Sequence, residues 1–142
     1  KPIIMTIGMK TTSKKCSKTT MESSMTKKHV KNAHMGQHLL AQVYNVEVDK
    51  LTKPAEIANE MVKAVKAEKL TLLNCFVHEF DPQGVTVNIT LAESHFTVHT
   101  WPEKRCVAID VFTCGNKNPR SVAWWILNYF DSDDYEMNDY AR

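Results

Sequence analysis

Residues 85–101 read VTVNITLAESHFTVHTW and contain two β-strands with almost nothing between them. Every second residue of 85–91 is apolar, which is the period of a strand with one buried face. A further strand begins at His95 and is stopped by Pro102. Because only a tight connection fits between the two, they predict an antiparallel hairpin.

The same patterns place the other elements on either side of this hairpin. Four more strands are predicted over residues 37–48 (with one break in phase), 72–80, 106–112 and 135–140. One helix is predicted from Pro54 to Lys69, and a second from the Asn118-Pro119 start to Phe130. This order predicts an α+β fold, a two-layer sandwich whose mainly antiparallel sheet carries both helices on one face.

The other face of such a sheet must be solvated or buried against a partner. Trp101, Phe112 and the Trp124-Trp125 pair present more aromatic surface than a two-layer unit of this size readily hides. We therefore predict a homodimer that packs sheet on sheet into a four-layer α/β/β/α assembly.

Composition and charge divide the chain in two. The 142 residues suit one domain. Residues 1–33 hold eight Lys and ten Ser or Thr, which predicts a disordered basic tail before a domain over 34–142. The domain has ten basic and fifteen acidic residues, so we expect no nucleic-acid partner. No apolar run approaches the roughly 18 residues of a membrane span, so no membrane partner is expected either.

The cysteine pattern favours a reducing, cytoplasmic setting. Cys16, Cys75, Cys106 and Cys114 include no CxxC pair, and the first residues lack the apolar region of a signal peptide. A thiol that matters here is therefore expected to be a reagent and not half of a disulfide.

Chemistry-bearing residues are concentrated in 91–103. On a strand, His95, Thr97 and His99 project to one face. Ser94 lies at the tight connection, where neither Gly nor Pro relieves strain. A Ser near His can be a hydrolase nucleophile, but the GxSxG elbow is missing.

A second possibility is that Ser94 attacks its own backbone. Its hydroxyl would add to the carbonyl of Glu93, and an N-to-O shift would give an ester. Elimination and hydrolysis would then cut the chain and leave a pyruvoyl group at position 94, which can form an imine (Schiff base) with an amine and stabilise a carbanion. This chemistry needs a strained peptide, a base and an oxyanion donor.

Three blocks of the sequence resemble one family. Residues 93–95 (ESH), 99–103 (HTWPE) and 110–115 (DVFTCG) are similar to the small prokaryotic type of S-adenosylmethionine decarboxylase, a pyruvoyl enzyme made from a proenzyme. The resemblance runs from about residue 35 to about residue 130. It implies a dimer with active sites near the interface.

The resemblance also implies a role for individual residues. Ser94 would become the pyruvoyl group that forms the Schiff base, with cleavage between Glu93 and Ser94. His99 would assist processing as a base, and Cys114 would be the proton donor to the decarboxylated carbon. Thr86 stands where the family usually has Ser, whose hydroxyl assists processing.

Substrate contacts follow in the same way. Glu103 resembles the carboxylate that binds the ribose hydroxyls, and Phe80 and Trp101 match aromatics expected around adenine. His34 and His38 have a spacing that can bind a metal on a helix. They lie at a strand start here, so no metal site is predicted.

The expected activity is pyruvoyl-dependent decarboxylation of S-adenosylmethionine, which yields the aminopropyl donor for spermidine. Two alternatives stay open at this point. The same pyruvoyl chemistry can serve ornithine or arginine, since a carboxylate such as Glu103 can hold a guanidinium. The chain can also be a non-catalytic regulatory homologue, although Ser94, His99 and Cys114 are intact.

Overall fold

The computed structural model describes residues 34–142 and, by their backbone alone, residues 3–5. Seven strands of this part form one sheet in the order β1-β3-β4-β5-β6-β2-β7, with every neighbouring pair antiparallel. In chain order the strands are β1 (Ile3–Met5), β2 (Gly36–Val43), β3 (Leu72–Glu79), β4 (Val85–Leu91), β5 (Ser94–Trp101), β6 (Cys106–Cys114) and β7 (Tyr135–Ala141).

The helices are α1 (Val48–Leu51), α2 (Pro54–Ala67) and α3 (Pro119–Phe130), with a 3-10 turn at Pro102–Lys104. Helix α2 packs on β3 and β4, α3 packs on β2 and β6, and the two helices contact each other. Between them and the sheet lies one core of buried apolar side chains, the largest of which are Phe96, Phe130, Leu39, Leu51, Ile57 and Met61. The predicted two-layer α+β fold is confirmed.

Both long helices begin where the sequence places a start signal. Pro54 and Pro119 occupy first-turn positions, where the missing N–H removes no helical hydrogen bond. The side chain of Asn118 accepts a hydrogen bond of 3.0 Å from the Arg120 N–H and so caps α3. The predicted end of α3 at Phe130 is confirmed.

The prediction of one strand over 37–48 is wrong beyond Val43. Asn45 has a φ of 54°, which turns the chain out of the extended conformation. The Arg105 side chain then donates to the carbonyls of Asn45 (3.2 Å) and Val46 (3.0 Å). These two carbonyls therefore bond to a side chain and not to the backbone of a neighbouring strand, and the short helix α1 follows.

At the start of the chain, residues 3–5 pair with β3 as an edge strand. The predicted tail over 1–33 otherwise lies outside the described residues. Among those described, no helix is long and apolar enough to cross a membrane, and Cys75, Cys106 and Cys114 are free thiols.

One face of the sheet is left uncovered by the helices; we call it the open face. It carries the alternate residues of β4, β5 and β6, including Asn88, Thr97 and Asp110, which line a shallow concavity of about 580 Å³. Trp124 and Trp125 do not belong to it. They lie on α3 in the opposite layer, 39% and 42% exposed, so they add nothing to the aromatic surface that was expected to favour sheet-on-sheet packing.

Candidate active site

Ser94 is the first residue of β5 and follows the two-residue turn that joins it to β4. The strands pair Leu91 with Ser94, so only Ala92 and Glu93 close the hairpin. Ser94 has a φ of +153°, which residues with a side chain rarely adopt and which persists only where surrounding contacts impose it. The strain expected at this connection is therefore located in the torsion next to the Glu93–Ser94 peptide bond.

Cys114 meets this turn with two groups. The register of β5 on β6 pairs Ser94 with Thr113, which brings the next residue alongside the hairpin. The Cys114 N–H donates a hydrogen bond of 3.0 Å to the Glu93 carbonyl oxygen. Its Sγ lies 3.7 Å from Ser94 Oγ. A hydroxyl, a thiol and a polarised carbonyl are thus gathered at one peptide bond.

The Glu93 side chain is anchored on the opposite side by Thr71. One carboxylate oxygen accepts 3.1 Å from the Thr71 N–H, and the other accepts 3.1 Å from the Thr71 hydroxyl. Partial desolvation raises the pKa of Glu93, but the hydrogen bonds from Thr71 and from its own N–H, with nearby Lys117, bring that pKa below its ordinary value. The carboxylate is therefore held in its charged form.

A second group of site residues lies at the other end of β5. Thr86 and His99 are directly opposite each other on β4 and β5. The Thr86 hydroxyl and His99 Nδ1 are 2.8 Å apart and share a hydrogen bond. The hydroxyl therefore orients the imidazole and fixes which ring nitrogen faces away from it.

The expected substrate-binding residues are found at this same end. Phe80 follows β3 at a turn closed by its N–H to the Gly84 carbonyl (2.9 Å). Trp101 ends β5 with its ring 6.1 Å from that of His99, and Glu103 lies in the next turn. Phe80 is 49% and Trp101 37% exposed, so both rings are available for stacking.

One protomer does not bring the two groups together. Ser94 and His99 are five residues apart on one extended strand, which places their backbones about 16 Å apart. Proton transfer needs a separation of about 3 Å or one bridging water. His99 is therefore not placed to act on Ser94 of its own chain, whereas Cys114 is beside it.

A third cluster lies on the open face. Asp110 Oδ1 accepts from His38 Nε2 at 2.7 Å and from His95 Nε2 at 3.1 Å. Arg142 Nη1 lies 3.5 Å from His38 Nδ1; since a guanidinium can only donate, His38 carries its proton on Nε2. His38, His95 and Asp110 each offer one atom that can bind a metal ion, and these three atoms lie within 4.8 Å of one another. The hydrogen bonds to Asp110 already explain why the three side chains are close together.

Thr71, His38 and Asp110 are the contacts that the sequence analysis did not assign to the site. Asp110 could have been noticed in the sequence, because it is a carboxylate within an otherwise apolar strand. It lies on the same face of β6 as Ala108 and Phe112. No sequence pattern points to Thr71, because it lies 22 positions from Glu93 and contacts it only through the pairing of β3 with β4.

Comparisons with known proteins point to one family. The family model for S-adenosylmethionine decarboxylase matches residues 37–142. The S-adenosylmethionine decarboxylase proenzyme of Prochlorococcus marinus (strain MIT 9313) is 43% identical over 109 residues, covering 76% of this chain and 87% of that protein. The proenzyme of Synechococcus sp. (strain WH7803) is 44% identical over 109 residues, with 76% and 85% covered.

A solved structure extends the likeness to three dimensions. The adenosylmethionine decarboxylase from Aquifex aeolicus VF5 superposes with a TM-score of 0.73 at 30% identity, covering 78% of this chain and 92% of that one. The range matched by the family model, residues 37–142, includes every residue of the Ser94 and His99 groups. With its match to the family model and these relatives, the chain belongs to the S-adenosylmethionine decarboxylase family.

Proposed function

We propose that this chain is a proenzyme that cleaves itself between Glu93 and Ser94, turns Ser94 into a pyruvoyl group, and decarboxylates S-adenosylmethionine. The product would serve as an aminopropyl donor for spermidine synthesis. The observation that carries the proposal is the Glu93–Ser94 peptide itself. It combines the φ of +153° at Ser94 with a carbonyl hydrogen-bonded to the Cys114 N–H at 3.0 Å.

The first step is an acyl shift from nitrogen to oxygen. Ser94 Oγ loses its proton to a base and bonds to the Glu93 carbonyl carbon, which becomes tetrahedral. The negative charge develops on the oxygen that already accepts from Cys114 N–H, as an oxyanion donor requires. The C–N bond then breaks, the nitrogen takes a proton, and Glu93 is left as an ester on Ser94.

The second step cuts the chain. Loss of the Ser94 Cα proton expels Glu93 as a carboxylate and leaves dehydroalanine at position 94. Its imine tautomer takes up water and releases ammonia, which gives the pyruvoyl group. Chains 1–93 and 94–142 result, and Glu93 becomes the C-terminus of the first.

The residues around position 94 fit this cofactor. The pyruvoyl carbonyl supplies an electron sink for the carbanion left when CO₂ departs. Cys114 Sγ lies beside this position, 3.7 Å from Ser94 Oγ. We assign it as the proton donor in turnover, and we assign Phe80, Trp101 and Glu103 to binding the adenosine part of the substrate.

The proposal includes a homodimer, because the two groups are about 16 Å apart in one protomer. A two-fold axis across the strands near Thr97, midway between Ser94 and His99, would stack the open faces and reverse their strands. The end of β5 that carries Ser94 in one protomer would then lie over the end that carries the partner's His99. Sheets packed face to face lie about 10 Å apart, which is less than the separation of about 16 Å between the two groups within one protomer.

Intact-mass measurement tests the function. Freshly made protein should convert from one species of 142 residues into chains 1–93 and 94–142, the second blocked at its N-terminus and reducible by borohydride in the presence of substrate. Ser94→Ala should stay full length and inactive. A wild-type chain that remains uncut after long incubation contradicts the proposal. Release of CO₂ from S-adenosylmethionine, and not from ornithine or arginine, tests the substrate.

A further inference from the structure

We propose that Thr71 is a positioning residue for self-cleavage, which acts by holding Glu93 through its side chain. The inference rests on the proposed cleavage after Glu93. It adds a residue that lies outside the conspicuous Ser94 and His99 groups, in the segment between α2 and β3. Thr71 makes no hydrogen bond to Ser94 or Cys114 in the part of the chain that the structure describes, and its hydroxyl bonds to Glu93, so the effect of that hydroxyl has to pass through Glu93.

Three hydrogen bonds join Thr71 to the hairpin turn. Its N–H and its hydroxyl donate to the two oxygens of the Glu93 carboxylate, both at 3.1 Å. Its carbonyl accepts from the Ala92 N–H at 2.9 Å. The side chain of Glu93 is thus gripped by two donors, and the preceding peptide is tied to the same residue.

The backbone of Glu93 is fixed from the other side. The Cys114 N–H holds the carbonyl oxygen at 3.0 Å, so Glu93 is bound through its side chain by the β3 side of the sheet and through its main chain by β6. Two anchors on opposite sides leave the carbonyl little freedom to rotate away from Ser94. They also supply contacts of the kind that a φ of +153° needs in order to persist.

The register of the sheet explains how Thr71 reaches the turn. Leu72 pairs with Leu91, and the pairing shifts between Leu72 and Asn74 through a bulge in β3. A bulge re-aims the residues at the end of a strand. Here it sets the residue before β3 opposite the two-residue turn, where an N–H and a hydroxyl both point at one carboxylate.

The expected effect is on the rate of cleavage alone. Misplacing reacting atoms by about 1 Å can cost on the order of 100-fold. Thr71→Val keeps the N–H and removes the hydroxyl, so we expect cleavage to slow by about 10- to 100-fold. After cleavage, Glu93 ends the other chain, so decarboxylation per pyruvoyl group should stay within about twofold of the wild type.

The test follows loss of precursor with time in freshly synthesised protein. Thr71→Ser restores the hydroxyl and should cleave at close to the wild-type rate. Thr52→Val is the control: it is a partly buried threonine at the end of α1, and its hydroxyl donates to the Val48 carbonyl (3.3 Å), far from the cleavage site in the fold. It should cleave like the wild type. Slow cleavage by Thr52→Val would overturn the assignment, because loss of an unrelated threonine hydroxyl would then slow cleavage as well.

A double-mutant cycle separates this role from general destabilisation. Glu93→Ala removes the carboxylate that Thr71 holds. If Thr71 acts through Glu93, the double variant should cleave no more slowly than the slower single variant. If the fold-reductions of the two single variants instead multiply in the double variant, Thr71 and Glu93 act independently and the inference is overturned. So would Thr71→Val cleaving within twofold of a wild type that cleaves, a result that leaves the proposed function standing. A wild type that never cleaves would instead remove the proposed function.

Discussion

The backbone N–H of Cys114 donates a hydrogen bond of 3.0 Å to the carbonyl oxygen of Glu93. This bond ties the last residue of β6 to the peptide that we expect to be cut. Cys114 therefore has two separable parts, a main-chain donor for the carbonyl and a thiol 3.7 Å from Ser94 Oγ. A side-chain substitution removes the second and leaves the first.

Cys114→Ala should therefore still cleave but turn over poorly. The N–H that meets the oxyanion remains, while the proton donor for the carbanion is lost. General acid catalysis contributes about 10²–10⁴-fold, so decarboxylation should fall in that range. The measurement is CO₂ release per pyruvoyl group. Cys106→Ala, at the other end of β6, is the control and should match the wild type. A cleaved Cys114→Ala enzyme with the wild-type rate removes the assignment.

Thr86→Val should slow cleavage by about tenfold, the cost of one net hydrogen bond of about 1–1.5 kcal/mol. The hydroxyl bonds to His99 Nδ1 at 2.8 Å, and without it the imidazole is less firmly oriented. Thr86→Ser keeps the oxygen and should cleave as fast as the wild type or faster. A time course of precursor loss for the three proteins decides this. Equal rates for Thr86→Val and wild type would make Thr86 an ordinary strand residue.

Mixed dimers test whether the site is shared between protomers. Ser94→Ala and His99→Ala chains, differently tagged and produced together, should form dimers in which one site combines Ser94 with the partner's intact His99. Only the His99→Ala chain should then be cut, and it should approach the wild-type rate only in mixed dimers. Dimers of His99→Ala alone should cleave slowly, and those of Ser94→Ala not at all. A mixture no faster than the separate variants shows that each site is complete within one chain.

Gly36→Ala should disturb the Cys114 end of β6. A Cβ at Gly36 would collide with the backbone carbonyl oxygen of Thr113, which has no flexible part to move aside. Since Gly36 pairs with Cys114, the collision should push the Cys114 N–H away from Glu93. We expect a lower Tm and slower cleavage. Gln37→Ala, an exposed neighbour on the same strand, should change neither. Unchanged cleavage in Gly36→Ala would mean that β6 adjusts elsewhere.

Thr100→Val should lower stability with little effect on chemistry. The buried Thr100 hydroxyl accepts from the Val85 N–H at 2.8 Å and donates to the Leu51 carbonyl at 2.8 Å. Valine leaves both groups without that partner, at a cost of about 1–3 kcal/mol in the free energy of unfolding. Urea denaturation in a Ser94→Ala background keeps the chain in one piece for the measurement. Thr100→Ser should lose much less, and a loss as large as that of valine would point to packing instead.

Local patterns in the sequence were sufficient for most of the fold. The period of two over Val85–Leu91 and the Asn118-Pro119 helix start are confirmed at the predicted residues. The prediction failed at 44–48, where valines suited to a strand follow a residue with φ of 54° and where the Val46 carbonyl accepts from the side chain of Arg105. That residue is 59 positions from Val46, and no local pattern contains such a contact.

The same distinction between local patterns and long-range contacts applies to the candidate active site. Ser94, His99 and Cys114 could be named from the sequence because their residue types and spacing are local or belong to recognisable blocks. Their distances could not. Strand register alone decides that Cys114 meets Ser94 and that Thr71 binds Glu93, whereas the separation of about 16 Å between Ser94 and His99 follows from the extended conformation of β5. Register depends on which side chains the helices bury and on where a bulge shifts the pairing, and only the folded chain brings those together.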